Sequence, residues 1–177
     1  MKQHVHHAGC ACLPALSRRG VLGLGFAGAV TAAFPALAQY PQFEAMLVNC
    51  IDPRIITASG TYMAGRGYKD LYSQFVIAGG PIGCVAPAFV DWHKAFWDNL
   101  AITVQLHRIK RVVGLTHRDC GAAFVAYGEA LRTDKALETA KQTEALRQFR
   151  AGVAQRQPAL AVDTGIMDLN GAVEVVA

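Results

Sequence analysis

From about position 45 onward the apolar residues fall into two alternating patterns: short unbroken runs, and longer stripes at spacings of three and four. Ala45-Met46-Leu47-Val48-Asn49-Cys50 is a run of the length and continuity expected of a parallel strand buried on both faces. A connection containing Gly, Tyr and Ala follows through about Tyr72, and Gln74-Phe75-Val76-Ile77 reads as a second strand stopped by Gly79-Gly80-Pro81. Residues 89–107 give the clearest helix. Phe89, Trp92, Phe96, Leu100 and Val104 form one apolar stripe, and Pro87 suits the helix start. A third strand over 111–116 ends at His117, and a long polar helix over 133–155 is stopped by Pro158. Segments 160–167 and 172–176 read as strands flanking Asn170-Gly171, a favoured two-residue hairpin turn.

Strands alternating with helices pair in parallel through right-handed crossovers. The expected fold is therefore α/β: a mainly parallel sheet flanked by helices, with a C-terminal antiparallel hairpin. No internal repeat or low-complexity linker interrupts positions 39–177, so these residues read as one domain.

Composition adds two constraints. In a chain of 177 residues with 53% hydrophobic and 17% charged residues, a sizeable core is expected and disorder is not. The net charge of +4 is concentrated at the N-terminus, where Lys2, Arg18 and Arg19 meet no acidic residue within positions 1–38. The remainder is nearly neutral and lacks the basic stripe of a nucleic-acid binder.

Those first 38 residues read as a leader. Arg18-Arg19 directly precede an uncharged run rich in Gly and Ala that closes at Ala36-Leu37-Ala38, a small-x-small cleavage signature. The combination matches a twin-arginine export signal, with Gln39 beginning a mature periplasmic or secreted protein. The run is shorter than the roughly 20 apolar residues a span requires, so no stable membrane insertion is expected after export. His4, His6, His7, Cys10 and Cys12 would leave with the leader. Three cysteines then remain, Cys50, Cys84 and Cys120, an odd count that argues against a simple disulfide framework.

Two motifs stand at the carboxyl ends of expected strands, where open α/β sheets place their sites: Cys50-Ile51-Asp52-Pro53-Arg54 and His117-Arg118-Asp119-Cys120-Gly121. Thiolate and imidazole are zinc ligands, and three protein ligands leave a fourth position for chemistry. His117 and Cys120, at a strand end entering a helix, can turn toward one point, with Cys50 arriving from a neighbouring strand. Either cysteine alone is more commonly a small buried hydrophobe. The joint placement, with an acid and a base two and four residues after Cys50, carries the case.

These residues resemble the β-class carbonic anhydrases, whose pattern is C-x-D-x-R, a Gly-containing segment, then H-x-x-C-G. Here the three parts are Cys50/Asp52/Arg54, Ala78-Gly79-Gly80 and His117/Cys120/Gly121, and the similarity covers most of 45–177. The resemblance implies a lyase binding Zn²⁺ through Cys50, His117 and Cys120. Its zinc-bound water, with a pKa lowered from 15.7 toward roughly 7, would hydrate CO₂ reversibly to bicarbonate. Asp52 and Arg54 become the implied catalytic pair: Asp52 accepts the hydroxide's hydrogen bond and Arg54 holds Asp52. In some members the aspartate leaves its arginine and ligates the zinc. Hydrolysis of carbonyl sulfide or carbon disulfide at the same centre, and a non-catalytic zinc-binding or assembly role, stand as alternatives.

The sequence departs from the family in three places. Val76-Ile77 stand where an Arg-Asn pair is usual, Ile51 and Pro53 are unusual inside the first motif, and the N-terminal arm is shortened to about 39–44. A homodimer or higher homo-oligomer is the implied assembly. Gly79-Gly80-Pro81-Ile82-Gly83 lacks the P-loop Lys and the G-x-G-x-x-G pattern, so no nucleotide is expected. His93, His107, Cys84, Trp92, Phe96 and Trp97 read as packing or solvated residues.

Overall fold

A computed structural model describes residues 41–177; the leader, with its paired arginines, cleavage signature and His/Cys tract, lies outside the described residues. Strands β1 (Ala45–Asn49), β2 (Tyr72–Val76), β3 (Arg111–His117), β4 (Ala161–Met167) and β5 (Val173–Val176) form one sheet in the order β2-β1-β3-β4-β5. The first four are parallel to their neighbours, with Ala45 opposite both Tyr72 and Arg111, and Arg111 opposite Ala161. β5 runs antiparallel to β4. Every residue of β1 is buried, as its continuous apolar run requires, whereas edge strand β2 is only partly covered.

Alternate residues of the sheet feed two cores. Ala45, Leu47, Val113 and Leu115 pack with Met63 of α1 (Ile56–Gly65), Ile82 of α2 (Pro81–Val85) and Phe124 of α4 (Gly121–Tyr127). Met46, Val48 and Val112 pack instead with Phe96 and Leu100 of α3 (Val90–His107) and with Phe149 and Val153 of α5 (Lys135–Arg156). The expected fold class is borne out, and among the described residues no helix is long and apolar enough to cross a membrane.

Three local features differ from the sequence reading. The connection before Tyr72 contains helix α1, whose buried residues are only Ser59 and Met63, too few to mark a stripe. The Gly79-Gly80-Pro81 stop is also the entry to α2, with Pro81 in its first turn, where a missing N–H costs nothing. The hairpin turn is wider than two residues. Asp168 N–H bonds the Ala172 carbonyl at 2.7 Å, and Gly171 N–H bonds that of Asp168 at 2.9 Å. Gly171 takes the left-handed position at φ 92°, the usual close of a three-residue loop.

Candidate metal centre

Because β1 and β3 are adjacent and parallel, their carboxyl ends lie side by side. Cys50 follows β1, His117 is the last residue of β3, and Cys120 sits at the cap of α4. All three are buried, their donor atoms lie within 4.8 Å of one another, and the two sulfurs are 4.0 Å apart. The His117 Nδ1–H donates to the Arg118 carbonyl at 2.8 Å, which leaves Nε2 as the free lone pair. That Nε2 is buried without a hydrogen-bond partner. An orphaned imidazole nitrogen beside two thiols is a donor set suited to zinc, and the residues present fit the metal.

The Gly-containing segment closes the back of this centre. Gly79 N–H donates to Cys50 Sγ at 3.1 Å. Gly80, at φ 56°, runs so near both strands that a Cβ there would lie 2.9 Å from the Asn49 carbonyl carbon and 2.9 Å from the Leu115 oxygen. Only glycine fits.

Electrostatics shift all three candidate donors. The contact between the two sulfurs, with the neighbouring His117 and the Gly79 N–H, pulls the Cys50 thiol far below its ordinary value, and the same contact pushes Cys120 up. Burial alone would lower His117, but the neighbouring Cys50 sulfur outweighs it, and the imidazole rises.

Asp52 and Arg54 meet as the sequence predicts. Asp52 caps the short 3₁₀ turn Pro53–Ile55, accepting from Arg54 N–H at 2.9 Å. The Arg54 guanidinium donates from Nε to Asp52 Oδ1 at 3.0 Å and from Nη2 to Oδ2 at 2.7 Å. This bidentate pairing holds the Asp52 carboxyl down at about 2, so it is ionised at neutral pH. Asp52 Oδ2 lies 3.8 Å from His117 Nε2, at the open side of the ligand set.

Three residues of the site escaped sequence reasoning. Asp119 accepts from Arg54 Nη1 at 2.7 Å through Oδ2, and its carbonyl accepts from Nη2 at 3.0 Å. Glu138 of α5, fully buried, accepts the Asp119 N–H at 2.7 Å, and Gln142 donates to the His117 carbonyl at 2.9 Å. Their signal lay in spacing. Positions 138, 142, 145, 149 and 153 are one buried stripe of α5, whose two polar members meet the metal-centre loop.

The other noted residues fall elsewhere. Cys84 is buried against the α3/α5 core, its thiol turned to the Gly80 carbonyl and its pKa raised by burial. His93 contacts the Ala86 carbonyl, and His107 contacts Ser73 Oγ.

No family model matches the chain. An uncharacterized protein of Rickettsia conorii and one of Rickettsia bellii are each 30% identical over 131 residues, 74% of this chain and 70% and 80% of theirs. Among solved structures, a β-carbonic anhydrase described as tetrameric, from Sordaria macrospora, superposes with a TM-score of 0.55 at 16% identity, covering 82% of this chain and 86% of that one. One from Aspergillus fumigatus gives 0.53 at 18% identity, covering 81% and 79%. One from Trichomonas vaginalis gives 0.51 at 13%, covering 78% and 84%. The resemblance read from the motifs is thus borne out in the fold. The chain belongs to one family with the two rickettsial proteins, built on the fold of the β-carbonic anhydrases.

Proposed function

We propose that the chain is a zinc-dependent carbonic anhydrase, a lyase interconverting CO₂ and bicarbonate, with Cys50, His117 and Cys120 as metal ligands and Asp52 and Arg54 as the catalytic pair. The observation that carries this reading is the unpartnered, buried His117 Nε2 between two thiols, faced at 3.8 Å by an ionised carboxylate. When bound, zinc supplies Lewis acidity and lowers the pKa of water to roughly 7.

The chain's own residues do the rest. Ionised Asp52 is an acceptor only, so it takes the proton side of a water or hydroxide and turns a lone pair outward to the carbon of CO₂. Arg54 spends its fork on orienting that carboxylate. Gly79 N–H steadies the Cys50 sulfur, and the Arg118 carbonyl fixes the His117 tautomer. Exposed Ile51 and Ile56 beside this centre, and Leu71 and Val76 at the β2 edge, support a homo-oligomer, of which a dimer is the simplest. Export through the leader is part of the same proposal.

The test is stopped-flow CO₂ hydration with metal content measured on the same sample. Rapid hydration lost in Asp52→Asn supports the reading. Zinc-loaded protein inert toward CO₂ refutes it; turnover of carbonyl sulfide or carbon disulfide would then reassign the substrate, and inertness toward these also would leave a non-catalytic zinc protein.

A further inference from the structure

We infer that Asp119 is a positioning residue that locks Arg54 from its far side, and thereby keeps the Asp52 carboxylate on the guanidinium and off the open metal position. The inference rests on the metal-centre reading above and extends it to a residue outside the ligand set and the catalytic pair.

The geometry is a shared fork. Asp52 takes the Nε edge of Arg54, with Nε to Oδ1 at 3.0 Å and Nη2 to Oδ2 at 2.7 Å. Asp119 takes the opposite edge, with Nη1 to Oδ2 at 2.7 Å and Nη2 to the main-chain carbonyl at 3.0 Å. The two hydrogens of Nη2 serve one partner each, so Asp119 removes no donor from Asp52. It fixes the guanidinium plane that Asp52 grips. Without the Asp119 carboxylate, a side chain 44% exposed would be restrained only by that one main-chain carbonyl and a carboxylate two residues away along the same turn. Such a local pair can move as a unit.

Asp119 is itself built in. It holds φ 57°, a left-handed conformation uncommon outside glycine, asparagine and aspartate. Its N–H is fixed by the fully buried Glu138 at 2.7 Å. The clamp therefore runs from α5 through the loop at the end of β3 to the turn after β1, and ends beside the ligands.

The consequence is a competition that Asp119 suppresses. Asp52 Oδ2 is 3.8 Å from His117 Nε2, within the 4.8 Å spread of the three donor atoms themselves. A carboxylate tethered that close is an intramolecular ligand at high effective concentration once its guanidinium can leave. In the intact clamp the open position stays available to an outside ligand.

Cobalt(II) in place of zinc reports this directly, because its visible spectrum follows the ligand set whether or not CO₂ is the substrate. Full-length wild type, Asp119→Gly, Asp119→Asn and the double variant Asp119→Gly/Asp52→Ala are loaded with Co²⁺ and titrated with thiocyanate. Glycine fits φ 57° and keeps the main-chain carbonyl, so Asp119→Gly removes only the carboxylate. Its thiocyanate response should weaken at least tenfold. Asp119→Asn, which retains an acceptor oxygen, should recover much of it, and the double variant should recover it fully. An unchanged response in Asp119→Gly overturns the clamp alone. So does a loss that the double variant fails to reverse, since the centre would then be distorted rather than occupied by Asp52. Wild-type protein that takes up no Co²⁺ defeats the metal-centre reading and the clamp together.

Discussion

Replacing Gly80 by alanine tests whether the Gly-containing segment is required by shape or merely tolerated. At φ 56° and ψ −119° the residue occupies a region from which side chains are nearly excluded, a strain of about 1–3 kcal/mol. The new Cβ would also sit 2.9 Å from the Asn49 carbonyl carbon and the Leu115 oxygen, and 3.0 Å from the Asn49 Cα. All three are main-chain atoms of β1 and β3, which a rotamer change cannot move aside, so overpacking adds about 1–3 kcal/mol. The expected loss is about 2–6 kcal/mol. Gly121, the last residue of the second motif, is the matched control: a Cβ there meets nothing within 4 Å, and it opens helix α4. Gly121→Ala should be neutral or stabilising by up to about 1 kcal/mol. Urea unfolding followed by far-UV circular dichroism, with chelator present throughout, measures both. A Gly80→Ala loss below about 1 kcal/mol, or a Gly121→Ala loss larger than that, refutes the steric argument.

Acid should erode the Asp52 contribution in a defined window. Its folded pKa, about 2, lies below the ordinary value of 3.8, so the stabilisation is complete above the unfolded pKa and is lost as pH falls toward 2. The stability difference between wild type and Asp52→Asn, measured by unfolding from pH 5 down to 2, should shrink over that range; a difference that grows has the wrong sign. Metal removal should be legible in thiol chemistry. In a Cys10→Ser/Cys12→Ser chain loaded with zinc, none of Cys50, Cys84 and Cys120 should react quickly with an aromatic disulfide reagent. After chelation Cys50 should react first, favoured by its lowered pKa, while buried Cys84 stays silent until urea is added; early labelling of Cys84 would contradict its placement.

What could be read from the sequence follows from how much of each element is buried. β1 and β3 announce themselves because both faces are covered and each is built around an apolar run, Ala45 to Val48 in β1 and Val112 to Leu115 in β3. α1 does not, since two buried residues in ten leave no stripe, and α2 hides behind glycines and a proline that equally mark a turn. The convergence of Cys50, His117 and Cys120 was legible because their residue types and strand-end placement are both unusual. Asp119 and Glu138 were not. An aspartate between His117 and Cys120 has no distinguishing pattern, and a glutamate on a polar helix looks solvated until the fold buries it at 0% exposure beside the loop it supports.

The strand order carries a consequence for assembly. Cys50 and Cys120 are 70 residues apart in the chain, and they meet only after β1 has paired with β3, with β2 and the helices between them looped away. Closing such a loop is among the slower, later events in folding, because the entropy of closure precedes any gain from the contacts it permits. A metal held by these residues would therefore find no preformed pocket on the nascent chain to nucleate around. Its loading would wait on a sheet already formed, scaffold first and ion second.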